Sequence, residues 1–174
     1  MSEEQAVIVE RRGGVMVITL NRPDAMNAIN GALSNGLWTA VQELDADDSL
    51  VAGVITGSGR AFCAGMDLKA FARGEDIGPL NTFVRSGAKK PLIAAVNGFA
   101  LTGEPISAEE AMDAGMLSGL TEPGEALDAA VALAERIAEN APLAVAASKE
   151  LVRAASMGVE EDKLWGMQVP LQKK

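Results

Sequence analysis

Histidine and tyrosine are absent from this 174-residue sequence, and cysteine occurs once, as Cys63. Without imidazole there is no Ser-His-Asp triad, no Cys-His pair, no His-ligated zinc and no histidine acid/base. Without tyrosine, phenol acids are excluded too. Proton transfer is left to Asp, Glu, Lys, Cys63, the backbone or water. A single cysteine forms neither an internal disulfide nor a cysteine cluster for a metal. Aromatics are scarce, with four Phe and two Trp, and Lys plus Arg are outnumbered 15 to 24 by Asp plus Glu. At a net charge of −9 the chain lacks the basic stripe and the stacking platforms of a nucleic-acid binder. Long apolar runs are missing as well. Stretches such as Leu92-Ile93-Ala94-Ala95-Val96 are far too short to span a bilayer. The opening Met1-Ser2-Glu3-Glu4-Gln5 is acidic where a signal or transit peptide would be basic. Together these features predict a soluble cytoplasmic protein without nucleic-acid or membrane partners.

What remains is a globular composition, 48% hydrophobic with a mean hydropathy of +0.14, and a length suited to one domain. Val7-Ile8-Val9 and Val15 to Leu20 are β-branched runs on either side of Gly13-Gly14, which predicts a hairpin. Asn21-Arg22-Pro23-Asp24 then stops the strand. Ile29, Leu33, Leu37, Val41 and Leu44 fall on one helical face. Val51 to Ile55 and Leu92 to Val96 read as strands covered on both faces. Asp67 is placed to cap a short helix from Leu68 to Ala72, with Gly74 as its stop. Ser107 and Glu110 have capping-box spacing before a short helix ending at Gly115. Two further helices follow, from Glu125 to Asn140 and from Pro142 to Arg153. Strand–helix–strand alternation followed by helices predicts an α/β layer structure.

Gly57-Ser58-Gly59 does not make a phosphate loop. The Lys-Ser/Thr of a Walker loop is missing, and Phe62 stands where a dinucleotide fingerprint has its third Gly. The segment from Gly59 to Lys69 carries more chemistry. A small-residue turn that follows a buried strand and opens into a helix leaves backbone N–H groups free, and such groups hold developing negative charge on a carbonyl. On spacing alone, an ordinary strand-to-helix turn is the simpler reading.

Three stretches change that reading. Leu20-Asn21-Arg22-Pro23 with Asn27-Ala28-Ile29, then Arg60-Ala61-Phe62-Cys63-Ala64-Gly65-Met66-Asp67-Leu68, then Pro91 to Leu101 closely resemble, in order, the enoyl-CoA hydratase/isomerase (crotonase) family. Thr102 to Ala111 and the helices after it resemble that family's later region. The resemblance implies a crotonase-like ββα spiral with a following helical region, one domain overall. Residues 1–100 would form the N-terminal part of the core, and 101–174 the later helices. It also implies an acyl-CoA thioester as substrate, in fatty-acid-type metabolism, with CoA as the substrate's carrier, no further cofactor and no metal. Two backbone N–H groups would form an oxyanion hole, by motif position those of Met66 and Gly103. Ala25 and Met26, with Ala64, Gly65, Asp67, Leu68 and Lys69, match segments that hold the CoA adenine and pantetheine. Arg22 and Lys69 are candidates for CoA phosphates and equally for solvated surface charges. Asp67 itself reads as a helix cap rather than a catalytic carboxylate. A homotrimer or dimer of trimers is expected by the same analogy.

The pattern then breaks. The family follows this strand with a Gly-rich turn, a helix bearing one catalytic Glu, and a second Glu further on; here Leu101 runs directly into Thr102-Gly103-Glu104-Pro105. Ile106 takes the first glutamate's place, Glu104 sits two residues early before a proline, and the second glutamate has no counterpart. The chain also stops at Lys174, before the family's C-terminal helices. Three accounts fit: a longer enzyme of which two segments meet near Ala100-Leu101, a shortened noncatalytic acyl-CoA binder or interaction paralogue, or an unrelated α/β domain. The first is preferred, because the residues either side of the junction fit the family cleanly. A normal Cα separation of ~3.8 Å at Ala100–Leu101 would contradict it. The expected chemistry is hydration of a 2-enoyl-CoA or a related enolate reaction such as double-bond isomerisation.

Overall fold

Gly13 and Gly14 bring two apolar runs back on each other, Gly13 taking φ +56° in the tight connection. Strands β1 (Val7–Arg12) and β2 (Val15–Leu20) pair antiparallel from Arg12–Val15 to Val7–Leu20. The computed structural model describes residues 5–97, 107–160, 163–164 and 166–167. β2 then pairs in parallel with β3 (Ala52–Gly57), and β3 with β4 (Leu92–Ala95), giving the order β1-β2-β3-β4. Parallel neighbours need crossovers. Helix α1 (Gly31–Ala46) supplies the first, and α2 (Leu68–Ala72) with α3 (Gly78–Ser86) the second. Helices α4 (Ala108–Asp113), α5 (Ala126–Ala138) and α6 (Pro142–Ser156) follow.

Alternation along the strands divides the core between the two faces of the sheet. Met16, Ile18 and Leu20 pack with Leu33, Leu37, Val41 and Leu44 of α1. Val15 and Val17 point the other way, where Ala52 and Val54 join Ala130, Val131 and Ala134 of α5. The sheet is therefore a middle layer, which is why β2 reads as an unbroken apolar run. Gly53 allows the close approach of α1: a Cβ there would lie 2.7 Å from both Leu44 Cδ2 and Leu92 Cδ1. The α/β class and the long elements agree with the pattern of the sequence.

Several details differ. Strand β4 stops at Ala95 and is only partly covered, with Ala94 exposed and Ala95 alone buried, so it is not the strand covered on both faces expected from Leu92 to Val96. Helix α1 begins at Gly31, with Asn30 as its cap accepting from Leu33 N–H at 3.0 Å, so Ile29 lies outside it in extended chain. Helix α3 has no counterpart in the apolar pattern. It buries no residue fully, leans Leu80 and Phe83 on the α1 core, and donates Leu80 N–H to Ser34 Oγ at 2.9 Å. Helix α6 also buries no residue, and polar contacts hold it. Lys149 Nζ donates to Lys90 O, and Arg153 donates to Ser86 O and Arg85 O near the end of α3. Partial burial pushes the Lys149 pKa below its ordinary value. Helix α4 opens with the capping box, Glu110 N–H donating to Ser107 Oγ at 3.1 Å and Ser107 N–H to Glu110 Oε2 at 2.8 Å. Among the described residues, no helix is long and apolar enough to cross a membrane.

Leu44 is fully buried against the sheet. Leu44→Ala should lower unfolding stability by about 2–5 kcal/mol, read as a reduced denaturation midpoint at an unchanged denaturant slope.

Candidate functional site

Two loops leave the same end of the parallel pair β2–β3, and their meeting builds the site. The first starts at Asn21, whose N–H donates to Ala6 O at 2.8 Å. A 3-10 turn, Pro23–Ala25, follows, and Met26 and Asn27 take left-handed φ values of 49° and 55°. Asn tolerates that region better than most residues. The Asn27 side chain is wholly buried. Its Oδ1 accepts from Arg22 N–H at 2.8 Å, while its Nδ2 donates to Ser58 O at 2.9 Å and Ala61 O at 2.7 Å. One short amide thus closes its own loop and ties it to the next.

The second loop folds back over the end of β3. A Cβ on Gly57 would lie 2.4 Å from Phe62 O, so the turn requires glycine there. Ala64 N–H then donates to Met26 O at 2.9 Å, Ile29 N–H to Gly65 O at 2.8 Å, and Asp67 N–H to Ile29 O at 3.0 Å. This is one rung of parallel bridge between Ile29 and Met66, entered through Gly65 at φ +93°. In such a rung Ile29 bonds the residues on either side of Met66, and the Met66 N–H faces away. Among the described residues it has no hydrogen-bond partner. Cys63 Sγ accepts from Gly65 N–H at 3.4 Å, within the same turn.

Asp67 caps α2, its Oδ1 accepting from Lys69 N–H and Ala70 N–H, each at 3.1 Å. Its Oδ2 meets Arg22 Nη2 at 3.0 Å. The Ala70 N–H bond first, and the Arg22 guanidinium after it, hold the carboxyl below its ordinary pKa of 3.8.

The structure brings Met26 onto Ala64 and Ile29 onto Gly65, Met66 and Asp67, while Ala25 stays in the 3-10 turn before Met26 and Leu68 and Lys69 open α2. Met26, Met66, Leu68 and Phe71 expose apolar surface around the turn. Lys69 presents its side chain to solvent, whereas Arg22 is partly buried and engaged within the turn. Its guanidinium donates to Ala28 O and Asp67, and its side chain is 23% exposed. The residues from Gly98 to Ile106 lie outside the described residues, and with them the Ala100–Leu101 junction, Gly103 and Glu104. A groove of about 860 Å³ between β1 and α1 reaches this turn only through Arg22. Sequence reasoning missed the roles of Asn27 and Arg22. The left-handed tolerance of Asn in a short Pro-containing loop was the available signal for the first.

Removing the Asn27 amide takes the partners from two part-buried carbonyls and from Arg22 N–H, so Asn27→Ala should cost about 1–3 kcal/mol. Asn27→Asp places a carboxylate against the Ser58 and Ala61 carbonyls, which raises its pKa. Its stability deficit in pH-dependent thermal unfolding should therefore be greatest near neutrality and shrink as acid protonates it. The sign for Asp67 is opposite. A depressed folded-state pKa stabilises above the unfolded value of about 3.9 and is lost as pH falls through the folded one. The melting-temperature gap between wild type and Asp67→Asn should be full near pH 7 and close in strong acid.

The family model described as enoyl-CoA hydratase/isomerase matches residues 10–103, more than half of the chain. The chain is 36% identical over 109 residues to probable enoyl-CoA hydratase 1, peroxisomal, of Arabidopsis thaliana, covering 59% of this chain but only 40% of that protein. It is 32% identical to carnitinyl-CoA dehydratase of Proteus mirabilis over 222 aligned positions, covering 90% of this chain and 84% of that protein. That alignment is longer than the chain itself, so the dehydratase carries residues with no counterpart here. The crystal structure of enoyl-CoA hydratase from Mycobacterium tuberculosis H37Rv superposes with a TM-score of 0.87 at 36% identity, covering 97% of this chain and 89% of that one. The fold is thus crotonase-like. With a family model matching more than half of its length and a relative matching along most of it, the chain belongs to the enoyl-CoA hydratase/isomerase family.

Proposed function

We propose that this chain acts on acyl-CoA thioesters, binding the thioester carbonyl at the Met66 N–H and stabilising the enolate that forms from it. The observation that carries this reading is the unpartnered Met66 N–H, turned outward by the Ile29 rung. A backbone donor already fixed in direction needs no reorganisation when charge develops on the carbonyl oxygen, and one such donor contributes ~2.7–4 kcal/mol to a transition state. Gly103 is the second donor by family position. Ala25, Met26 and the Ala64–Lys69 segment form the walls for the adenine and pantetheine, and the apolar surfaces of Met26, Met66, Leu68 and Phe71 suit a pantetheine arm and an acyl chain. The reaction is hydration of a 2-enoyl-CoA or a double-bond shift through the same enolate.

The proton chemistry belongs to two glutamates that have no match in register, Ile106 standing at the first position. The Proteus dehydratase has residues that this chain lacks, which supports placing them there. The 174-residue polypeptide should therefore bind and polarise the thioester but turn it over slowly. A purely noncatalytic paralogue is not favoured, since the relatives that match are named as hydratases and dehydratases. A cytoplasmic homotrimer or dimer of trimers belongs to the same proposal, by family analogy.

The test pairs a titration with crotonyl-CoA against an assay of its hydration, followed as loss of the conjugated thioester absorbance. Saturable binding with little or no turnover is expected. Absence of binding would overturn the acyl-CoA reading, and rapid turnover would overturn the assignment of proton transfer to the missing glutamates.

A further inference from the structure

We propose that Arg22 is a positioning residue that sets the direction of the Met66 N–H, an inference that rests on the acyl-CoA reading of that turn. The rung between Ile29 and Met66 has two backbone bonds, and both converge on Ile29. A third backbone bond, Ala64 N–H to Met26 O at 2.9 Å, ties the turn before Met66. Arg22 adds a side-chain tie on the other side, after Met66. Its Nη1 donates to Ala28 O, one residue before Ile29, and its Nη2 to Asp67 Oδ2, one residue after Met66. The guanidinium thus braces the rung across both segments.

The base of the brace is anchored as well. Arg22 N–H donates to Asn27 Oδ1 at 2.8 Å, and Arg22 O accepts from Ala25 N–H at 3.0 Å and Asn27 N–H at 2.9 Å. The far end is equally fixed, because the other oxygen of Asp67 holds the first turn of α2. With side chains only 23% and 17% exposed, Arg22 and Asp67 are shielded from the solvent competition that weakens surface ion pairs. The planar guanidinium reaches a carbonyl and a carboxylate together in a fixed fork, which the point charge of a lysine does not reproduce. Two of the guanidinium's five N–H donors are thereby turned inward, on Ala28 O and Asp67 Oδ2.

The test uses the 174-residue chain, free CoA, and 2,4-hexadienoyl-CoA, a conjugated thioester whose absorption moves to longer wavelength when N–H donors polarise its carbonyl. Wild type should bind the dienoyl thioester with a red shift. Arg22→Gln should keep its affinity for free CoA within about threefold while losing most of that shift, and Arg22→Lys should recover part of it. If Arg22→Gln does not fold, Asp67→Asn, which keeps an oxygen to cap α2, carries the test and should also lose the shift. A full red shift in the folded variants overturns the proposal, as does a loss of free-CoA affinity with the shift intact, which would make Arg22 a phosphate ligand. A wild-type protein that binds the thioester with no red shift removes the acyl-CoA reading of Met66 itself, and the role of Arg22 with it.

Discussion

The side chain of Asn27, sealed from solvent, has its acceptor on the Arg22 N–H and both donors on the carbonyls of Ser58 and Ala61. Each polar atom of this buried amide is thereby paired, which offsets the cost of its burial. The loop after β2 and the loop after β3 are therefore held as one unit, although they lie more than thirty residues apart in the chain. Once they are locked, Met26 O is placed to take the Ala64 N–H, Ile29 is placed to bridge Met66, and Asp67 comes within reach of Arg22. The outward direction of the Met66 N–H is the last consequence of that sequence of contacts. A backbone donor has no side chain to aim it, so its aim must come from the scaffold.

The scaffold makes this economical. β2 and β3 run parallel in register from Val15–Ala52 to Leu20–Gly57, so both loops emerge at the carboxyl ends of adjacent strands. Crevices outside such ends are where open α/β sheets bind ligands. The chain leaving β4 begins at the same end, and Asn97 donates to Gly59 O at 2.9 Å. Layers on both faces of the sheet keep these strand ends rigid: α1 on one side and α5 on the other. Helix α6 is different in kind, being held by Lys149 and Arg153 rather than by buried apolar area.

Sheet, α1, α5 and the two caps of α2 and α4 were legible because their causes are local. A run from Val15 to Leu20, an apolar face from Leu33 to Leu44, or a carboxylate two and three residues ahead of the amides it accepts can each be read within a short window. Helix α3 was not, since its Leu80 and Phe83 are only partly buried and its Gly78-Pro79 start reads as a turn. The Arg22–Asp67 pair was not legible either, because 45 residues separate its members, and taken singly Asp67 reads as a helix cap and Arg22 as a phosphate ligand or a surface charge. The motif resemblance pointed to the turn at Met66. The contacts of Arg22 with Ala28 and Asp67 came only from the folded chain.

The most direct test of this account is hydrogen exchange at the Met66 amide, followed residue by residue with and without ligand. The neighbouring amides of Ile29 and Asp67, both donors in the rung, should be protected in the free protein, while that of Met66 exchanges freely. An acyl-CoA thioester should protect the Met66 amide, and free CoA, which has no carbonyl at the thioester position, should not. A Met66 amide that is protected without ligand, or that ignores the thioester under saturating conditions, would contradict the assignment of this N–H as the oxyanion donor.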